Sequence, residues 1–425
     1  MSRFTGVIGI VVILGLAFLW SNNRKKINLR LVITGLILQI VLAIFILKVP
    51  LGQDIFAWLG KAINKLLDFS QEGGYFVFGD LTKVTQILPP EIIKKGVFLF
   101  VLIPTIIFVC VLVAMAYHVG LMQRIVAVIA RFVHWFMRVS GSEALSNVAS
   151  AFVGQVEAQI MIRPYLAGMT KSELLASMTG SMACIAGGVM AVYISMGVPA
   201  AYLLAASLMA APGALVISKI VFPETEVSET KGKVTLEVKK EHSNIMDAIA
   251  HGASDGMRIS INVIAMLIGV IALIALIDAL LGYFGHFLAW TGLSLDAVGL
   301  NLDNLRLKDV VGVIFSLFAI VMGVPPSESL SVGSLMGTKM VINEFVAYSD
   351  LSPLIAQGVL SAKSIVIASF ALCGFANFSS VAIQIGGIGA IAPTRKADLA
   401  RLGLKAMVCG TMASYISASL AGILL

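Results

Sequence analysis

Charge is scarce in this 425-residue chain: only 12% of its residues are Asp, Glu, Lys or Arg, about half the ~25% typical of soluble domains. So little charge cannot coat a core with a solvated shell, which excludes an ordinary water-soluble globule. Histidine is rare as well, at His118, His134, His242, His251 and His286. These are scattered as loop, interface or packing residues, and they form no Ser/His/Asp set and no metal-ligand cluster, so a membrane-embedded hydrolase is disfavoured. The four cysteines, Cys110, Cys184, Cys373 and Cys409, all sit in apolar stretches. They have neither metal-finger spacing nor the pattern of a secreted disulfide framework. What the chain has in abundance is apolar sequence, 59% hydrophobic with a mean hydropathy of +0.97, and it reads as an all-α polytopic membrane protein.

A helix needs about 20 apolar residues to cross the hydrocarbon. Stretches 4–20, 31–47, 96–117, 174–197, 200–218, 259–277, 365–393 and 406–425 qualify, giving eight expected spans. The first reads as a span and not a signal peptide, having no extended charged n-region and no small-residue cleavage site. The uncharged run 174–218 is too long for one helix, and Gly197-Val198-Pro199 supplies its break. The net charge of +7 sits in short connections, so it points to membrane topology and not to nucleic acid. Four basic clusters (Arg24/Lys25/Lys26/Arg30, Arg124/Arg131/Arg138, Lys231/Lys233/Lys239/Lys240 and Arg395/Lys396/Arg401) share one side if both termini lie outside. Lys94 and Lys95 break that pattern. Segments 54–67 and 122–139 mix apolar and basic positions as interfacial helices do, with a solvated or lipid-facing stripe as the plainer reading of the three arginines. Segment 224–242 reads as a plain loop.

A weak internal repeat is the most informative feature. Ser142-Glu143-Ala144-Leu145-Ser146 recurs as Ser327-Glu328-Ser329-Leu330-Ser331, and Glu157 is matched by Glu344. Lys171-Ser172 and Ala176-Ser177 recur as Lys363-Ser364 and Ala368-Ser369. Cys184 to Gly187 matches Cys373 to Ala376. An odd number of spans between the copies would make the repeat inverted, the plan of many secondary transporters, with the substrate site where the repeats meet. Segments 142–166 and 327–350 are apolar but interrupted by charge and glycine, as re-entrant hairpins are. Thr170-Lys171-Ser172-Glu173 is a capping-box pattern opening the following span.

Glu157 and Glu344 are carboxylates in apolar surroundings, and a charge there costs a few kcal/mol unless partnered or wetted. Ion pairs with Arg163 and Lys339 are their structural alternatives. Asn377, Ser379 and Ser380 fall inside the uncharged run after Cys373, where helix packing through small residues is the competing explanation. Asn377-Phe378-Ser379 is too buried for glycosylation, and Gly386-Gly387-Ile388-Gly389 lacks the strand-to-helix context of a dinucleotide loop. Two carboxylates, Gln155, Asn377, Ser380 and the Phe375 ring suit a neutral, hydroxylated, partly aromatic solute.

These motifs resemble the concentrative nucleoside transporter family. Gly154-Gln155-Val156-Glu157 is similar to its first-hairpin motif, Gly337-Thr338-Lys339 with Asn343-Glu344-Phe345-Val346-Ala347-Tyr348 to its second, and Cys373-Gly374-Phe375-Ala376-Asn377-Phe378 to its seventh-span motif. The resemblance covers essentially the whole chain. It implies eight spans, two re-entrant hairpins and a homotrimer built on a scaffold (1–140 and 223–326) carrying a mobile, elevator-like transport part (141–222 and 327–425). It places Gln155, Val156, Glu157 and Val189 at the nucleobase, Glu344, Asn377 and Ser380 at the ribose, and Phe375 beside the base. It puts sodium at Ser150, the Val153 carbonyl, Cys184 and the Ile185 carbonyl. Sodium-coupled members carry Asn where Ser150 stands and Ser or Thr where Cys184 stands, and a thiol is a poor ligand for a hard cation. Val156 stands where the family has Thr, one hydroxyl fewer at the base. The resemblance therefore implies a nucleoside (uridine-like) symporter of the bacterial inner membrane, without enzymatic activity, cofactor or nucleic-acid partner. Sodium coupling is favoured, and proton coupling through Glu157 or Glu344 stays open. A passive channel, or a carrier of another small polar metabolite, is the alternative.

Overall fold

The structure, a computed structural model, describes residues 5–79, 99–230, 243–292 and 300–425. Lys94, Lys95, Lys231, Lys233, Lys239, Lys240 and His242 lie outside the described residues, as do the start of the expected 96–117 span and most of the 224–242 loop. Among the described residues all regular structure is helical and there is no strand. A helix satisfies its backbone internally, which a chain this apolar requires.

The first helices are α1 (Thr5–Leu19), α2 (Leu29–Leu47), α3 (Pro50–Phe78), α4 (Leu99–His118) and α5 (Leu121–Met137). They are followed by α6 (Gly141–Ser150), the single turn α7 (Glu157–Ile160), α8 (Lys171–Ala183), α9 (Gly187–Ser195) and α10 (Ala200–Val221). Then come α11 (Ile245–Trp290), α12 (Leu307–Met322), α13 (Pro326–Val341), α14 (Glu344–Ala356), α15 (Ala362–Leu372), α16 (Phe378–Ile391) and α17 (Lys396–Leu424). Four described segments are long and apolar enough to cross a membrane: α2, α10, Ile271–Trp290 and Pro393–Leu424. Helices α4 and α5 form a pair bent by 74°. The basic face expected over 122–139 is there: Val126, Ala130, Val133 and Met137 of α5 are buried while Arg124, Arg131 and Arg138 are exposed.

The expected 259–277 span is part of a single 46-residue helix, α11, about 69 Å long at 1.5 Å per residue. The sequence reading stopped at the polar turn His251 to Arg258. There Gly252 and Gly256 lie one turn apart, and a Cβ on either would meet the backbone of α4 within 2.8 Å. Two small residues at this spacing let two helices touch at the backbone.

At the centre, α17 packs on α1, α8, α10, α15 and α16. Helix α8 is buried from Ser172 to Ala183. The expected single spans 174–197 and 365–393 are each two helices joined by a short extended break, between Ala183 and Gly187 and between Leu372 and Phe378. Neither break contains proline; the second is set by Gly374, with φ +104°, and by Asn377, whose side chain caps α16. The break expected at Gly197-Val198-Pro199 is present between α9 and α10. The two interrupted helices meet at their breaks, where a Cβ on Gly374 would sit 2.5 Å from the carbonyls of Met182 and Ala183. Gly374→Ala therefore combines a left-handed backbone with a backbone clash. Its expected cost is at least about 1–3 kcal/mol, read as a lowered melting temperature in detergent.

The start of the 224–242 segment is not a plain loop. Lys219, at the end of α10, is 2.7 Å from Glu143 and 3.3 Å from Glu224, and it donates to Ser172. Glu224 accepts from the Thr170 hydroxyl, and Thr230 pairs with Ser142. Glu143 and Glu173 are each the third residue of a capping box, with Ser140 opening α6 and Thr170 opening α8. One lysine thus joins the two helix starts of the first repeat.

Candidate functional site

The second repeat supplies the half of the candidate site built around Glu344. Asn343 caps α14 by accepting from the Val346 N–H at 2.9 Å, which puts Glu344 in the first turn, where the helix dipole favours a carboxylate. Glu344 is only 5% exposed. Its Oε1 accepts from the Tyr193 hydroxyl at 3.0 Å, and its Oε2 accepts from Asn377 Nδ2 at 2.9 Å. Asn377 does double duty, because its Oδ1 accepts from the Ser380 N–H at 2.9 Å and from the Ser379 hydroxyl at 2.7 Å. A carboxylate has about four acceptor positions, so Glu344 can take two further hydroxyl donors. Phe375 is half-buried in the break, and Ser380 is buried in the first turn of α16. Lys339, the alternative partner of Glu344, makes no ion pair with it. Its Nζ donates instead to the carbonyls of Ala371 at 3.2 Å and Cys373 at 3.4 Å.

The first repeat brings its tip to the same helix. Gln384 of α16 donates to the Met178 carbonyl at 3.2 Å and to Gln155 Oε1 at 3.5 Å. A Cβ on Gly387 would strike Val156, 2.6 Å from Cγ2. Ser380, Gln384 and Gly387 share one face of α16 at helical spacing. From Asn377 to Gln384 the axis rises about 10 Å, so a hydroxyl-accepting end and an amide-bearing end stand one above the other. Glu157 is exposed, with its carboxylate folded over Gly154. Among the described residues it makes no ion pair with Arg163. Val189 is half-buried on α9, the helix that also carries Tyr193.

Around the first break, no hydrogen bond among the described residues reaches the carbonyls of Val153 or Ile185. The neighbouring side chains are occupied. Ser150 Oγ donates to the Ser146 carbonyl at 2.7 Å and is 3.0 Å from Ser181 Oγ. Cys184 Sγ donates to the Ser207 carbonyl at 3.5 Å.

This arrangement coincides with strong matches to known proteins. Residues 202–422 match the family described as Na+ dependent nucleoside transporter C-terminus, and residues 8–81 match its N-terminus. Residues 99–200 match a nucleoside recognition (Gate) family. An uncharacterized transporter of Bacillus subtilis, YutK, is 40% identical over 423 residues, 99% of both chains. The nucleoside permease NupC of Helicobacter pylori is 36% identical over 99% of this chain and 98% of its own. A solved structure, CNTnw in an inward-facing substrate-bound state, superposes with a TM-score of 0.89 at 39% identity, covering 100% of this chain and 98% of that one. The chain belongs to the Na+-dependent nucleoside transporter family.

Members of the family are membrane transporters and not enzymes. In this nucleoside transporter, Glu344, Asn377, Ser380 and Phe375 gather at one break, and Gln155 and Val156 reach the adjoining face of α16. Glu157 stays at the exposed tip. Sequence reasoning passed over Tyr193 and Gln384, and it weighed Lys339 only as an ion-pair partner of Glu344, whereas the ammonium sits on the carbonyls of Ala371 and Cys373. Tyr193 lies in an uninterrupted apolar run, and its role depends on a stacking contact with Tyr348, 4.4 Å between ring centroids. Tyr193→Phe removes one neutral donor from Glu344 and is expected to raise the KM of nucleoside uptake about 3- to 10-fold, with maximal uptake retained.

Proposed function

We propose that the protein is a secondary active symporter that brings uridine-like nucleosides across the bacterial inner membrane, driven by a sodium gradient. The observation that carries this reading is the Glu344 carboxylate, buried, oriented by Tyr193 and Asn377, and with acceptor capacity left for two hydroxyls. A pair of neighbouring ribose hydroxyls answers that geometry. Ser380 completes the sugar end, while Gln155, Val156, Glu157, Val189 and the Phe375 ring serve the base.

Eight spans and two re-entrant hairpins, α6–α7 and α13–α14, suit the helix breaks and the repeat. Residues 141–222 and 327–425 would form the moving part against a scaffold of 1–140 and 223–326, in a homotrimer working as an elevator. Sodium is cargo, and the bare carbonyls of Val153 and Ile185 are its proposed ligands together with Ser150 and Cys184. Cation binding would order the first-repeat tip and so favour nucleoside binding, a coupling free energy between the two sites. The occupied Ser150 hydroxyl and Cys184 thiol favour a second reading, proton coupling through Glu157 or Glu344.

One experiment separates the readings: uptake of labelled uridine into proteoliposomes with sodium and proton gradients imposed separately. Uphill accumulation under sodium alone is the expected result, and accumulation under a proton gradient alone would move the coupling to the carboxylates. Uridine that only equilibrates under both gradients overturns the symporter reading.

A further inference from the structure

Lys339 is 0% exposed, and an ammonium so placed is costly unless its surroundings answer the charge. The side chain ends at the C-terminus of α15. There it donates to the carbonyls of Ala371 at 3.2 Å and Cys373 at 3.4 Å, while the Ser414 hydroxyl donates to the second lone pair of the Cys373 carbonyl at 2.8 Å. Those carbonyls belong to the set a helix end leaves without partners, and the dipole there favours a cation.

The repeat gives this contact a counterpart. Lys339 stands five residues before Glu344, as Phe152 stands five before Glu157. The Phe152 backbone closes on the first break, its carbonyl accepting from the Gly187 N–H at 3.3 Å. Val153 and Ile185, the residues flanking that contact, accept no hydrogen bond at their carbonyls among the described residues. In the second repeat the hairpin residue at the equivalent place sends an ammonium onto the carbonyls of the break instead.

We propose that Lys339 is the tethered cation of the second repeat: its ammonium fills, permanently, a cation seat on the carbonyls of the α15–α16 break and so positions Phe375 and Asn377 against Glu344. The lysine is a positioning residue. Its ammonium sets the break that carries Phe375 and the Asn377 cap, and it supplies the positive charge that balances Glu344 across the hairpin. The second repeat then needs no exchangeable ion, and any exchangeable cation belongs to the first. This last statement rests on the symporter reading, whereas the seat itself does not.

The test is Lys339→Ala, which vacates the seat, compared with wild type in ammonium chloride and in choline chloride at equal ionic strength. Choline is too bulky for a cavity left by one side chain. In detergent, without nucleoside, the variant is expected to melt several degrees higher in ammonium than in choline, as ligand linkage requires, and wild type to melt alike in both. In proteoliposomes the variant is expected to raise the uridine KM about tenfold or more, with ammonium restoring most of the loss. A variant that melts alike in the two salts, folded or not, overturns the assignment. So does Lys339→Met, which keeps the volume and removes the charge, if its uridine KM equals that of wild type. If wild type itself takes up no uridine while the ammonium-specific shift in K339A persists, the seat stands and the nucleoside reading falls.

Discussion

Replacing Glu344 by glutamine is expected to lower uridine uptake by at least about 100-fold, because hydrogen bonds to a charged acceptor contribute about 1.5–3 kcal/mol each and the proposed binding mode rests two ribose hydroxyls on this group. The loss has two parts. The carboxylate accepts from Tyr193 and Asn377 in the structure, so an amide of the same shape keeps Asn377 only by turning its NH2 toward the Tyr193 hydroxyl, which can accept it. A substrate hydroxyl aimed at that atom then loses its acceptor, and the remaining oxygen is no longer charged. Asn377→Ala should act in the same direction, and it also removes the cap of α16, worth about 1 kcal/mol. Both variants should elute from size exclusion as wild type does, because Glu344 opens α14 and Asn377 lies in the α15–α16 break, and neither belongs to α17. Wild-type uptake by E344Q would remove Glu344 from the substrate site.

Lys219→Met is expected to destabilise the protein by about 3–5 kcal/mol, the range for breaking a buried pair by removing one partner. Lys219 and Glu143 have side chains 5% and 3% exposed and 2.7 Å apart. Glu173, 1% exposed, stands nearby. Without the lysine, the buried Glu143 carboxylate loses the ammonium 2.7 Å away. The double variant Lys219→Met with Glu143→Gln should recover more than half of the loss, since glutamine can keep the capping box while dropping the charge. Thermal melting in detergent of both single variants and the double variant checks the coupling. Simple additivity would mean that the pair contributes no stability.

The parts of this molecule that were legible in the sequence are those with short-range causes. Apolar runs mark helices, Gly197-Val198-Pro199 marks a turn, and Thr170 with Glu173 marks a helix start; all three are where the sequence places them. The two helix breaks gave a weaker signal. Nothing between Ala183 and Gly187 forbids helix, and the chain leaves it there because α17, α8 and Gly374 press together. Local propensity carries no record of that. The site residues became visible because charge and amide groups are scarce in apolar sequence, which is why Glu344, Asn377 and Gln155 stood out. Tyr193 did not, since an aromatic residue in an apolar helix looks like packing until its hydroxyl is seen to meet a carboxylate. Lys219, and the true partners of Lys339, were obscured for the opposite reason. Each lysine is a lone charge at the end of an apolar stretch, a place where lysine ordinarily reaches for water.

The contact of Gly374 with the carbonyls of Met182 and Ala183 has a mechanical side. Only a hydrogen atom separates the two strands of backbone at the crossing, so neither interrupted helix can slide past the other without first being lifted away from it. The two halves of the repeat are geared together at that point. A large excursion of one therefore carries the other along.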